Sequence, residues 1–352
     1  MARFIQLHAL TVYAPSNLNR DDTGRPKTAR FGGVERLRIS SQALKRAIRT
    51  SDGFKERLKQ HRGTRTQRLG ETIQQHLVAK GHTPEAALEI ARRIAEVFGK
   101  LKDPKDANPA QIEQLAFISP EEQAQAIALA DQAASGKKLP EKKDELVEAL
   151  LRKTDTAVDI AMFGRMLADN PEFNREAAVQ IAHAITTHKV DVEDDFYTAV
   201  DDLKRSAEDA GAGFIGELGF GSGVFYTYAC IDRGLLESNL GGNAALAGEA
   251  IAALIEGLAT ASPGGKQASF ASRARASYLR AEQGSQQPRS LAAAFFKPVR
   301  GEDLFALSVA ALDKTASDMT KAYGACFDGE PRVMNVAAGT GTLHDVIAFA
   351  RS

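Results

Sequence analysis

Tryptophan is absent from this chain of 352 residues, and cysteine occurs only twice, as Cys230 and Cys326. Neither cysteine has a CxxC partner, which argues against a zinc site or a disulfide framework and fits a reduced compartment. No run of eighteen apolar residues occurs, so no membrane-spanning helix is expected. The N-terminus lacks a charged region followed by an apolar block, so no secretory signal is expected and a cytoplasmic setting fits. HExxH, GxSxG, GxxxxGK[ST] and a GxGxxG after a strand are all missing. Net charge is also missing, with 45 basic and 45 acidic side chains.

That neutrality conceals an asymmetry. From Arg20 to Arg68 there are fifteen Lys or Arg against five Asp or Glu. Such a local excess suggests a concentrated anion-binding surface, although a solvated charged face would give the same count. The spacing from Ser40 to Arg49 favours the first reading. Ser40 or Ser41 caps a short helix whose buried face is Leu44, Ala47 and Ile48. Gln42, Lys45 and Arg49 form a stripe opposite, and no acid occurs between Arg36 and Ser51. Free amides at the helix start, with the two serine hydroxyls, make an anion site from which the stripe can track successive phosphates.

The loop from Arg20 to Arg30 adds Arg20, Arg25, Lys27 and Arg30. Asp21 and Asp22 within it could hold a divalent ion for phosphodiester cleavage, or simply cap a turn. The segment Pro263-Gly264-Gly265-Lys266-Gln267 is a Gly-rich turn in which Lys266 is a minor candidate phosphate contact. The seven histidines show no ligand pattern, and His183 and His188 are read as structural.

Alternation predicts strands at 3–13, 179–187, 224–231 and 276–281. The stretch 15–33 reads as a long loop. Helical signals fill 54–165: Thr83-Pro84 opens one helix with Ala87, Ala91, Ile94 and Phe98 inward, and Ser119-Pro120-Glu121-Glu122 is a capping box. Further helices are expected at 144–153, 244–259 and 303–323. Between 191 and 222 lies an excursion, acidic then Gly-rich, that carries Phe196, Tyr197, Phe214 and Ile215. Its apolar groups suit insertion between bases or a place in the core, and its acids suit a basic surface on a neighbouring molecule. Without the two insertions, a β-α-β-β-α-β ferredoxin-like unit remains, in an α+β fold.

Several segments together resemble a known family. They are Asn17-Leu18-Asn19-Arg20-Asp21-Asp22, Phe31-Gly32-Gly33, Arg38 to Arg46, Val158-Asp159-Ile160-Ala161 with Gly164-Arg165-Met166, Ala182 to His188 with Thr198 to Leu203, Ser222 to Tyr226, and Asn239-Leu240-Gly241-Gly242. The chain thereby resembles the CasC backbone subunits of the type I-E CRISPR Cascade surveillance complex, of the RAMP superfamily. The match is dense over 1–50 and about 155–267, and loose elsewhere.

The resemblance implies a right-hand shape with an RRM-like palm, a helical fingers insertion and a β-hairpin thumb. The expected boundaries are 1–53, 166–190 and 223–352 for the palm, 54–165 for the fingers and 191–222 for the thumb. It implies a non-catalytic protein whose copies polymerise along a CRISPR guide RNA. The thumb of one copy would displace every sixth base on its neighbour, and the guide would pair with complementary target DNA. Other Cascade subunits are implied as partners: large, small, guide-end-capping and guide-processing. No cofactor, metal or catalytic residue is implied.

Carried over, Arg20, Lys27, Ser40, Gln42, Lys45 and Arg49 would hold guide phosphates, with Arg46 and Lys266 added to the RNA-binding set. Met166 would sit against bases, and Tyr197, Thr198 and Ile215 would belong to the thumb. Phe196 stands where a larger aromatic is expected, and the stretch from Leu203 to Phe214 is longer than expected. Type III relatives of the superfamily cut RNA with a loop aspartate, which makes a metal-dependent ribonuclease using Asp21 or Asp22 the alternative. A generic single-strand RNA-binding protein is a third reading.

Overall fold

A computed structural model describes residues 2–199 and 214–352. The chain divides into two compact units. The first comprises Met1–Phe54, Ile181–Ile231 and Ile251–Ser352, and the second Lys55–Gln180 and Asp232–Ala250.

The first unit is built on an antiparallel sheet. Its strands are β1 (Phe4–Ser16), β2 (Thr28–Phe31), β3 (Val34–Ile39), β4 (Ala184–Thr186), β5 (Glu193–Ala199), β6 (Phe214–Asp232), β7 (Ala276–Gly284) and β8 (Arg332–Asn335). They lie in the order β8-β7-β1-β6-β4-β3-β2, with β5 paired to β6 off that path. The central run β7-β1-β6-β4 has the spatial order of a ferredoxin-like unit, the fold class expected. β1 is buried on both faces, so Gln6 and His8 are as enclosed as Ile5, Leu7 and Leu10. Leu10, Tyr226 and Tyr278 from the sheet pack with Phe295 and with Leu312 and Ala316 of the helix Leu304–Tyr323.

The buried polar groups of β1 are mostly paired: Gln6 Oε1 accepts from the Tyr228 hydroxyl and the Arg289 amide, while His8 Nε2 has no hydrogen-bond partner. The Tyr226 hydroxyl lies 2.9 Å from His8 Nδ1. His8 Nε2 faces the Glu282 carboxylate at 3.7 Å, an ion-pair separation rather than a hydrogen bond. Arg280 and Arg289 both donate to Glu282. These donors, with His8, hold Glu282 well below the usual carboxylate range against the opposing effect of its burial.

Several expectations need correction. The stretch 15–33 is not all loop: Thr28–Phe31 pairs with Val34–Ile39, Ala29 opposite Arg36. Gly32 at φ 63° makes the turn, and a Cβ there would lie 1.6 Å from the Phe296 carbonyl oxygen. The expected strand 179–187 is two, Val179–Ile181 and Ala184–Thr186, interrupted at Ala182 and His183. The strand expected at 224–231 begins ten residues earlier, because pairing with β5 carries it through Gly216, Gly219 and Gly221. The Tyr197 ring occupies the space a side chain at Gly216 would need.

The second unit is mostly helical. Thr83 caps Pro84–Ala95, and Ser119 with Glu122 forms the expected capping box on Pro120–Ala134. Ala87, Ala91, Ile94 and Phe98 are buried in its core. Two arginines are buried there with their partners. Arg165 meets Glu122 at 2.6 Å and Arg175 meets Asp155 at 2.9 Å, and every one of these side chains is at most 2% exposed. Arg165 also donates to the carbonyls of Phe117, Arg152 and Phe173.

Candidate nucleic-acid interface

The helix α1 (Ser41–Thr50) is positioned by an asparagine loop. Asn17 Nδ2 donates to the carbonyls of Gly24 (3.0 Å) and Gly219 (2.9 Å), which ties the loop to itself and to β6. Asn19 Oδ1 accepts the Ser40 amide at 2.8 Å, which ties the loop to α1. The Lys27 amide donates to the Asn19 carbonyl at 2.8 Å. Ser40 is the N-cap, and its hydroxyl accepts from the Ala43 amide. The Ser40 side chain is therefore buried and engaged in the cap, while the earlier amides of the turn lack intrahelical acceptors.

Leu44 and Ile48 are buried and Ala47 is half-buried, as their spacing requires. Gln42 and Arg46 are exposed, and Lys45 and Arg49 are half-buried. Partial burial lowers the Lys45 pKa from its ordinary value. Gly257 brings the helix Ala244–Thr260 against Ile48, where a Cβ would come within 2.8 Å.

Beside α1 runs an open groove of about 720 Å³. Its charged lining is Arg20, Arg46, Arg273 and Arg275, with Asp52 the carboxylate. A hollow of about 460 Å³ adjoins it, lined by Leu18 to Asp22, Gly24 and Gly265. Guanidinium groups present rigid forks of donors that match phosphate oxygens, so this groove suits a polyanion. Arg273 and Arg275 carried no signal in the sequence, since they lie outside any periodic element. The register of β1 with β7, Leu10 opposite Tyr278 and Thr11 opposite Ala276, brings them beside the Asn17–Arg20 loop.

Not every basic residue of the Arg20–Arg68 stretch contributes to one surface. Arg36 is fully buried and donates to the carbonyls of Phe31, Thr186 and Phe295. Arg25 pairs with Asp194 at 3.0 Å and approaches Glu217 at 4.0 Å. These two acids of the β5–β6 hairpin thus engage a basic residue of their own chain. The six basic residues from Lys55 to Arg68 belong to the second unit.

The remaining candidates are dispersed. Lys266 is half-buried with φ 49°, next to the groove-lining Gly265 and Gln267. Tyr197 and Thr198 are exposed on β5, and Thr198 stands opposite Ile215 of β6. Residues 200–213 of the expected thumb, including most of Leu203–Phe214, lie outside the described residues. Met166 is 80% exposed in the second unit, beside the buried Arg165. Asp21 Oδ1 accepts from the Thr23 amide, the Thr23 hydroxyl and the Arg25 amide, which makes it a turn cap. The Thr23 hydroxyl bond leads in lowering its pKa. Among the described residues no group of three His, Cys, Asp or Glu could hold a metal ion. His183 Nδ1 lies 3.0 Å from an Arg38 guanidinium nitrogen. His188 bridges the Lys189 carbonyl and the Val224 amide through its two ring nitrogens.

A ferredoxin-like antiparallel sheet carrying an arginine-lined groove defines an α+β protein with a surface fitted to polyanions. The chain belongs to the CT1975-like protein family, whose profile matches residues 5–344. It is similar to a chain of a solved "CRISPR RNA-guided surveillance complex, pre-nicking", with 30% identity and a TM-score of 0.86 over 99% of this chain and 100% of that one. A chain of a second "CRISPR RNA-guided surveillance complex" matches with 25% identity and a TM-score of 0.75, covering 99% of both chains. No curated protein sequence matches the chain.

Proposed function

We propose that this chain is a non-catalytic, guide-RNA-binding backbone subunit of a CRISPR Cascade complex of type I-E, acting in the cytoplasm. The observation that carries the reading is the full-length similarity to a chain of an RNA-guided surveillance complex at a TM-score of 0.86. The first unit serves as palm and the second as fingers. The β5–β6 hairpin belongs to the thumb. The α1 stripe of Gln42, Lys45 and Arg49, with Arg20, Lys27, Ser40, Arg46 and Lys266, holds guide phosphates. Met166 rests against bases, and Tyr197, Thr198 and Ile215 act from the thumb. Contacts of this kind fix register and carry no sequence, so sequence is read by pairing of the guide with target DNA. Copies of the chain stand side by side along the guide, joined by the complex's other subunits.

The test is the Lys45→Ala/Arg49→Ala variant. Affinity for single-stranded RNA should fall alike for every sequence, and the salt dependence should flatten by roughly 0.7 log units per lost contact. An unchanged salt slope, or a loss confined to one sequence, overturns the reading. Assembled with guide and complementary RNA or DNA in Mg²⁺ or Mn²⁺, the protein should leave the target intact. Cleavage abolished by Asp21→Ala or Asp22→Ala would establish the ribonuclease instead.

A further inference from the structure

We infer that Arg273 and Arg275, with the Pro263–Gly265 turn, form a second wall of the phosphate track facing α1, so that guide phosphates pass through the groove between them. The inference rests on the RNA-binding reading above and extends it to residues that reading does not include.

Four observations carry it. First, Arg20, Arg46, Arg273 and Arg275 line one groove against a single carboxylate, Asp52. None of the four forms an ion pair with a carboxylate among the described residues. Like charges collected in a concave site repel one another unless an anion enters, and the field they focus attracts one. Second, Arg273 and Arg275 are both exposed, while Ser272 and Ala276 are buried and Ala274 is half-buried. Both arginines stand in the irregular stretch just before β7, on either side of Ala274, and both line the groove. Two adjacent guanidinium groups in a basic groove are the arrangement that tracks the backbone of a single strand.

Third, the turn is packed directly onto the loop that bears Arg20. A Cβ on Gly265 would lie 2.3 Å from the Leu18 carbonyl oxygen and 2.6 Å from that of Asn17. The turn is therefore fixed by backbone contact against the loop that bears Arg20, and Asn19 of that loop accepts the Ser40 amide at the start of α1. Fourth, two non-glycine residues, Lys266 at φ 49° and Ala271 at φ 47°, bracket the one-turn helix Gln267–Phe270. Side chains rarely adopt that conformation, and it persists where the surroundings over-determine it, commonly at ligand clamps. The wall is braced from behind: the Ser262 hydroxyl donates to the Ala274 carbonyl at 3.1 Å and accepts the Ala274 amide at 3.2 Å.

The experiment measures binding of the full chain to a labelled single-stranded RNA of mixed sequence between about 50 and 200 mM salt. Arg273→Ala/Arg275→Ala should weaken binding about tenfold at the low end and make the salt slope shallower by roughly 1.4. Arg273→Lys/Arg275→Lys, which keeps the charge, should keep the slope. Ultraviolet crosslinking of the unaltered chain to RNA should leave nucleotide adducts on residues 262–280 as well as on α1. Wild-type slope and affinity in the double alanine variant, while Lys45→Ala/Arg49→Ala lowers both, would overturn this inference and leave the RNA-binding reading intact. Adducts confined to α1 would do the same. An unaltered chain that binds no RNA overturns both.

Discussion

The two units use arginine in opposite ways. In the second, Arg165 and Arg175 are buried, each against one carboxylate, with further terminal-nitrogen bonds to main-chain carbonyls and the Nε of each left without a partner. In the first, Arg20, Arg46, Arg273 and Arg275 line an open groove without a carboxylate partner among the described residues. The side chain is the same, and burial with pairing decides its role. A buried guanidinium without its partner is costly, so the paired arginines hold structure. An exposed one surrounded by like charge has electrostatic energy to gain from an incoming anion. Counting charge along the sequence cannot separate the two, as the buried Arg36 demonstrates within the basic stretch itself.

The contrast breaks most visibly in the buried set. Glu122→Ala should strand the Arg165 guanidinium in the core and cost about 3–5 kcal/mol in denaturant unfolding. The double variant Glu122→Met/Arg165→Met should recover most of that loss. If it does not, the bonds that Glu122 accepts from the Ser119 and Arg152 amides and those that Arg165 donates to carbonyls matter more than the charge pair.

A smaller effect tests how far the buried polar cluster of the first unit shares this behaviour. His8 has its pKa lowered from 6.5, chiefly by burial, against the pull of Glu282. Arg280 and Arg289 oppose its protonation, and Tyr226 and Tyr228 flank the ring. The unfolded chain therefore takes up a proton near pH 6.5 that the folded chain refuses. Its contribution is present above that pH and declines as pH falls below it, by at most about 1.4 kcal/mol per pH unit. Glu282, held below 4.5, adds a second decline below its own unfolded value. The difference in melting temperature between His8→Gln and the unaltered chain should narrow from pH 7 to pH 5. A constant difference would mean that His8 does not couple to pH.

Gly265→Ala comes next. It removes no charge, yet it should push the Asn17–Leu18 backbone away and displace Arg20. RNA affinity should fall several-fold with the salt slope almost unchanged, in contrast to the arginine substitutions. The smallest effect is expected from Asp194→Asn, which breaks the exposed pair with Arg25. Surface pairs of this kind contribute about 0.5 kcal/mol, so stability should hardly move.

The α1 stripe was legible because a helix of this length puts Gln42, Lys45 and Arg49 on one face whatever surrounds it. Thr83-Pro84 and Ser119 to Glu122 were legible for a similar reason, since caps are local chemistry. The β2–β3 hairpin was not. Its glycine turn and charged alternation read as loop, and it becomes a strand pair only through β3 docking on β4. The Gly-rich half of β6 was hidden likewise, because glycine has little strand preference of its own and β5 supplies the pairing. Arg273 and Arg275 were invisible as a site because they sit more than 250 residues from Arg20 in sequence and arrive through a β-strand register. The arrangement Gly164-Arg165-Met166 was read for the exposed methionine, while its arginine fixes the core.

β6 runs for 19 residues, roughly 60 Å if fully extended, from the main sheet into the hairpin with no break. Three contacts mark it along the way: Tyr226 faces His8, the Gly219 carbonyl receives Asn17, and Gly216 lies under Tyr197 farther out. Gaining or losing one residue between Gly219 and Tyr226 would invert every position beyond it, like a dropped tooth on a gear rack. Lineages of this protein should therefore change the length of this strand root in pairs of residues, with a compensating bulge, or not at all.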